Sequence, residues 1–478
     1  MNLLTKTKLF IKEMKLTTSD FFFLFGFIFS IPFYAFAWKF MVTTDPSTIF
    51  FNNQMIITCF LVTICCWGAY FYFEIKEKRI RNHLFTWVYV GIAILSVIAV
   101  LVQKTTTEFM VECKATGSIT ESLYPGTKIG DIVKVTATLS PTHRLFFTCA
   151  TLVITTFIYI DLVVIPQRIK TMDFLVLIGV ITMVFMLGMS VYSYISESSK
   201  YIPFLKAFWV GDGAEMKRYA MASFVVSSVP YGACMMLAFM FALLVHEITQ
   251  KHYWYVALSF FYINMLFSYC RTSIAITSVI LFLYVTYRLI ITFKRHKIRN
   301  IIAGSIFYLS ILTLVAFNIA SYATKGSFAP MMYKHIEWFF NTRTLDKRKY
   351  IWSNIQLELK GGWLIIGRGF GTHNYMLYPM NLLNNDNVCP SHSTYYAILG
   401  AGGLISLFAF FGLIAYYIVI FIKCFKVSKT MPIGLSFGIV GFLAYSFTEG
   451  VNYLIVASTF PLILYYNIYR KNMPKNNN

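Results

Sequence analysis

The chain has 478 residues, of which 58% are hydrophobic, 18% aromatic and 13% charged. With a mean hydropathy of +0.64 it is too apolar for a soluble domain of this length, which excludes a cytosolic enzyme and predicts a polytopic membrane protein. The formal net charge of +21 would suggest nucleic acid in a soluble protein; here it reports which side of the membrane the loops face, and no nucleic-acid partner is expected.

Apolar windows recur between polar or basic breaks, and each is long enough to cross a hydrocarbon core as a helix of about 17 to 25 residues. In order they run Phe21–Trp38, Met55–Phe73, Leu84–Val102, Leu145–Ile165, Phe174–Tyr194, Ala222–Val245, Tyr253–Tyr269, Thr272–Phe293, Ile301–Ala320, Tyr395–Phe421, Ile433–Val451 and Tyr453–Tyr469. The pattern predicts an all-α polytopic membrane protein of about twelve transmembrane helices. The first run lacks a short apolar core followed by a cleavage site and is expected to stay as an anchor. Pro32, Pro230 and Pro461 are expected to interrupt spans, which membrane helices tolerate.

Orientation follows from the breaks. KTKLFIKEMK, EIKEKRIRNH, PQRIK, KRHKIRN, KCFKVSK and YRKNMPK fall on one side, and their Lys and Arg content marks that side as cytoplasmic, with both termini on it. The opposite side receives Lys104 to Arg144, Ser196 to Tyr219, the tight Cys270-Arg271 corner and a long polar loop between the ninth and tenth spans. Three regions result: an N-terminal bundle over 1–320, an extramembrane loop over 321–394 and C-terminal helices over 395–478. The nine cysteines show no paired C-x-x-C spacing, so no zinc module is readable, and a bridge between Cys113 and Cys389 stays open.

Several cations fall on the side where the charge bias should deplete them, among them Lys217, Arg218, Arg271, Lys347, Arg348, Lys349 and Arg368. They are either solvated surface or a cluster that gathers an anionic headgroup such as a pyrophosphate, for which Arg offers permanently charged, bidentate contacts. The corner around Arg271 is so short that its guanidinium stays close to the membrane surface, either snorkelling or binding. RKYIWSNIQLELKGG places Arg348, Trp352, Ile355 and Leu359 on one helical stripe, with Gly361-Gly362 as the stop. It predicts a helix lying on the membrane surface with Arg348 near its start.

Histidine is the side chain best suited to accept a proton near neutral pH, and two candidates precede the tenth span. His392 is fixed in depth by that span, whereas His373 lies in freer loop; for each, a structural histidine among aromatics is the alternative. Cys389, His392, Asp386 and His373 lack a second spaced pair, so no metal is assigned. Gly367 to Gly371, reading GRGFG, follow no strand-to-helix unit and are read as a tight turn. Asp161, His246, Glu247 and Arg288 lie toward the cytoplasmic ends of spans and Glu449 near an outer end, so no membrane-centre carboxylate suits a proton relay.

These residues together resemble the O-antigen ligase and polymerase family over about Arg218 to Leu407. FSYCRTSIAI corresponds to the family's Arg in a short outer corner, giving Arg271, and TRTLDKRKYIW to its loop Arg, giving Arg348. SHSTYYAILGAGGLISL matches the His followed by a Gly-rich span, giving His392, and KRYAMASFVVSSVPYG resembles the Arg-containing entry to an earlier span, giving Arg218. Ser393 stands where many members have Asn, and roughly twenty residues separate GRGFG from His392.

The resemblance implies a GT-C-like glycosyltransferase of the bacterial inner membrane, independent of metal and cofactor, with its active loop in the periplasm. Its donor would be an undecaprenyl-diphosphate-linked glycan and its acceptor lipid A-core, or a second lipid-linked glycan if the chain is a polymerase. His392 would activate the acceptor hydroxyl, while Arg271, Arg348 and Arg218 would bind the diphosphate. The rival from another class, a flippase for lipid-linked oligosaccharide, calls for inverted repeats, short loops and midplane polar groups.

Overall fold

The computed structural model describes residues 17–40, 54–77, 84–113, 127–139, 172–225, 228–293, 297–339, 343–369, 372, 376, 392–427 and 433–448. The chain opens with α1 (Thr18–Phe40), α2 (Gln54–Lys76) and α3 (Leu84–Val102), followed by the strands β1 (Thr106–Glu112) and β2 (Ile132–Thr138). Next come α4 (Met172–Ser196), α5 (Ser198–Val210), α6 (Gly213–Arg218) and a 3₁₀ turn (Ser223–Val225). They lead to α7 (Ser228–Thr249), α8 (Trp254–Ser268), α9 (Arg271–Phe293) and α10 (Lys297–Ala323). The remainder is α11 (Pro330–Phe339), α12 (Arg343–Glu358), α13 (Trp363–Ile366), α14 (Thr394–Val427) and α15 (Ile433–Thr448).

Helices occupy ten of the predicted windows, while Leu145–Ile165 and Tyr453–Tyr469 lie outside the described residues. Five described helices are long and apolar enough to cross a membrane, namely α4, α7, α9, α10 and α14, and the protein is a mostly helical, membrane-embedded one. α7 is the post around which the others stand. It is apolar on every face, a composition that suits enclosure by protein or by lipid, and here the enclosure is protein. Its side chains from Pro230 to His246 are all buried, within a core that draws on α1, α2, α4, α8, α9, α14 and α15. Gly179 of α4, Gly232 of α7 and Gly441 of α15 let these helices approach closely: a Cβ would meet Val245 at 2.6 Å, Cys270 at 2.6 Å and Ile280 at 2.6 Å respectively.

α7 starts at Ser228, six residues later than the window Ala222–Val245 implied. The cause is a carboxylate. Glu197, at the turn between α4 and α5, accepts the peptide N–H groups of Ala222 at 3.0 Å and Ser223 at 2.9 Å, the Ser193 hydroxyl at 2.7 Å and the Lys200 ammonium at 2.7 Å. This holds Ala222 and Ser223 out of α-helical geometry, with Ser223 at φ 55°. Pro230 therefore sits in the first turn, where its missing N–H costs nothing, and does not interrupt the span.

The stretch from Lys104 to Arg144 contains an antiparallel hairpin pairing Phe109 with Val135 and Val111 with Val133. Alternate side chains Phe109, Val111, Val135 and Ala137 face inward against Tyr350 and Met376, the period-two burial of a half-covered sheet. Cys113 is a buried thiol in this cluster, and Cys389 lies outside the described residues. The stretch assigned to 321–394 carries α11, α12 and α13, of which α12 contains the helix expected near Arg348.

Burial alone would raise the Glu197 carboxyl, but Lys200, Ser193 and the two N–H groups outweigh it and hold the pKa below the ordinary value. A depressed folded-state pKa contributes stability above the unfolded value, lost as pH falls through about 4 toward the folded value. Glu197→Gln lowers the melting temperature in detergent at pH 7, and the gap to wild type narrows as the pH is taken down through about 4. A gap unchanged with pH would show that the charge of Glu197 does not hold this junction.

Candidate functional site

The four residues assigned by resemblance lie at one end of the bundle, at or beside the helices that follow α4 and α10. Arg271 opens α9 directly after the corner Tyr269-Cys270, where Tyr269 takes a left-handed conformation at φ 49°. Its Nη1 donates to the carbonyl of Phe339, the last residue of α11, at 3.2 Å, so the guanidinium faces the negative end of that helix. Arg218 ends α6, is exposed, and pairs with Glu215 at 3.4 Å while lying over the Tyr219 ring at 5.6 Å. It does not enter a span, because the Glu197-held stretch separates α6 from α7.

Arg348 is half-buried in the second turn of α12, which begins five residues earlier than its predicted start. The predicted stripe is present, but it does not face lipid. Ile351, Ile355 and Leu359 pack with Trp352 against Trp363, Tyr396 and Leu399, and Trp352 stacks on Tyr396 with centroids 4.9 Å apart and planes 9° from parallel. The amphipathic face is satisfied by the start of α14, so α12 is docked on protein.

His392 lies two residues before α14, half-buried, with φ 47°. That left-handed conformation is uncommon for a residue with a Cβ and costs on the order of 1–2 kcal/mol. The buried Ser393 and Thr394 follow it into the helix. His373 lies outside the described residues.

α14 is broken at Gly403, where φ 61° and ψ −162° are non-helical. The carbonyls of Gly400 and Ala401 accept instead from the N–H groups of Arg368 and Gly369, each at 2.8 Å. The GRG segment is thus a backbone splice across a membrane helix. Only glycines fit: a Cβ on Gly367, at φ 70°, would stand 2.5 Å from Ala401, and one on Gly403 would strike the Ile365 carbonyl. The sequence reading took GRGFG as a turn; Gly367 to Gly369 bond to α14 by their backbone, and Phe370 and Gly371 lie outside the described residues.

Arg368 is 5% exposed and turned inward. Nε and Nη2 donate to the Glu358 carbonyl at 3.2 and 2.8 Å, closing the C-terminus of α12, and the guanidinium lies over Trp363 at 4.4 Å. Its own carbonyl accepts from Gln103 at 2.8 Å. Burial pulls the guanidinium pKa down, opposed by the Glu358 carboxylate. This cation is spent on the splice. Neither Glu197 nor Arg368 carries a local signature in the sequence, since both roles depend on backbone groups distant along the chain.

The contacts also order the site. Trp352 meets Tyr396, and farther along both helices Glu358 meets Arg368, which meets Gly400. The order is the same on α12 and α14, so the two run parallel, and Arg348 and His392, each four residues before the stacked pair, lie toward the same end. The last turns of α15 join them to Arg271. Phe447 packs on Trp352 at 5.9 Å, and Tyr395 bonds the Leu443 carbonyl at 3.0 Å. Tyr445 meets the Cys270 thiol, next to Arg271, at 3.3 Å. Arg271 thus flanks one side of the end of α15, with Arg348 and His392 on the other. Among the described residues no three His, Cys, Asp or Glu side chains are grouped to hold a metal ion.

No family model, no curated protein and no solved structure matches the chain. Gly403→Ala places a Cβ against backbone in a left-handed residue and lowers stability by at least about 2 kcal/mol. Gly412→Ala, in the exposed helical half of α14 with open space around it, is neutral or stabilising by up to about 1 kcal/mol. Thermal unfolding of the two variants in detergent checks this, and equal melting temperatures would show that the break is not held.

Proposed function

We propose that the chain is an integral-membrane glycosyltransferase that moves a glycan from undecaprenyl diphosphate to lipid A-core, an O-antigen ligase. The observation that carries this reading is the gathering of Arg271, Arg348 and His392 around the end of α15, at the end of the bundle that bears the extramembrane helices. This end would face the periplasm, with both termini in the cytoplasm.

In the reaction His392 accepts the proton of the acceptor hydroxyl, whose oxygen attacks the anomeric carbon as the bond from that carbon to the diphosphate oxygen breaks. Charge develops on the departing diphosphate. Arg271 and Arg348, with the more exposed Arg218, would meet it, and fixed cations aimed at that charge can serve where other enzymes use a metal. Holding two lipid-borne substrates in the membrane plane contributes a further entropic advantage. The left-handed backbone at His392 supports a functional role, because strained residues persist where the surrounding structure holds them. A polymerase would use the same donor and groups and differ in its acceptor.

His392→Asn keeps a residue that tolerates the left-handed conformation while removing the imidazole. It lowers transfer by about 10²- to 10⁴-fold with protein level in the membrane unchanged, and Arg348→Ala lowers it by about 10²-fold or more. Transfer by the wild type persists in EDTA. In a strain lacking the gene, core-only lipopolysaccharide with long glycan stranded on the carrier indicates the ligase, and core bearing a single repeat indicates the polymerase. An unchanged profile, or normal transfer by the His392 variant, overturns the reading.

A further inference from the structure

The helix α5 has two apolar faces, and only one is used. Phe204 and Ala207 pack with Met216, Phe267 and Tyr269. Tyr201 stacks on Tyr194 at 5.0 Å and meets Phe267 edge-on at 5.1 Å. Tyr194 lies in the last turn of α4 and Phe267 in that of α8, so α5, about 20 Å long, crosses the ends of the spans and does not run beside them.

Its opposite face shows Ile202 at 66%, Leu205 at 51%, Trp209 at 75% and Val210 at 57% exposure. Ile202, Leu205 and Trp209 form one stripe at helical spacing, with the exposed Lys206 beside it. Among the described residues nothing covers them. α4 carries a similar exposed stripe, Val184, Leu187, Val191 and Ile195, up to the turn from which α5 leaves. The exposed apolar stripe of a candidate span thus ends at the turn that begins α5.

We propose that α5 is an interfacial helix whose Ile202–Leu205–Trp209 face is sunk into the bilayer leaflet at this end of the bundle. The occupant is lipid, because the stripe is apolar, exposed and begins where the exposed apolar stripe of a candidate span ends. Trp is favoured at that depth, and Lys206 can bury its stem while its ammonium reaches lipid phosphates. Through Phe204 and Met216 the helix would also set the depth of α6, and through the bond of His335 to the Phe208 carbonyl at 2.9 Å that of α11, whose end Arg271 caps. The inference does not depend on the reaction proposed above.

The test uses the full chain in vesicles of phosphatidylethanolamine and phosphatidylglycerol, with and without bromine on the acyl chains. The emission difference between wild type and Trp209→Phe isolates Trp209 from the other seven of the protein's eight tryptophans. Brominated lipid is expected to abolish that difference, and aqueous iodide to leave it unchanged. Ile202→Trp, added to the Trp209→Phe variant, is expected to restore an emission component lost to brominated lipid, which guards against a local misfold of the first variant. A Trp209 component that survives brominated lipid overturns the proposal. If iodide then quenches it, the face is in water; if iodide does not, a second protein copy covers it.

Discussion

A membrane helix keeps its backbone hydrogen bonds within itself because the bilayer offers no water to replace them. The break at Gly403 would leave the carbonyls of Gly400 and Ala401 without partners, and the N–H groups of Arg368 and Gly369 supply them. Everything near the assigned residues hangs on this exchange. It fixes the segment that begins at Ser393, brings α13 beneath α14, and aims Arg368 back at the end of α12. The hairpin then closes over the junction, with Phe109 lying 5.9 Å from the Arg368 guanidinium. Two backbone bonds and three glycines thus position a histidine, an arginine and a hairpin that are far apart in the chain.

Two kinds of cation result, and burial separates them. Arg368 has its donors satisfied by a carbonyl and its face covered by Trp363, so its charge serves the fold. Arg218 is exposed beyond a single glutamate, and Arg348 is only half-buried. Arg271 stands between these cases and donates to the end of α11. In general an enclosed guanidinium can receive an anion only by giving up a bond of the fold, a cost that an exposed one avoids.

The sequence made helix existence legible, because hydrophobic length is a local property: Leu84–Val102 matches α3 end for end, and the stop at Gly361 appears as a glycine at φ 65°. It hid whatever depends on a distant partner. The late start of α7 follows from Glu197, which lies 25 residues before Ala222, and the amphipathic stripe of α12 has the same pattern whether lipid or Tyr396 covers it. The hairpin had a readable signal in the alternation of TTEFMVE and IVKVTAT, masked by the polar surroundings that made the stretch look like loop. Of the assigned residues, the grouping of Arg348 with His392 rests on contacts of their neighbours Trp352 and Tyr396, which no spacing rule connects.

The enclosure of α7 bears on how such a chain is assembled. A helix leaving the ribosome enters the bilayer surrounded by lipid, and this one must exchange that lipid for protein on every side. One wall of its enclosure comes from α15, where Gly441 lies against Met236 and Tyr445 reaches the Val229 carbonyl, and that wall is made some two hundred residues later. Throughout that interval the earlier helices form an open groove along α7. The face of α7 that α15 covers is therefore the last to exchange lipid for protein as the chain is made.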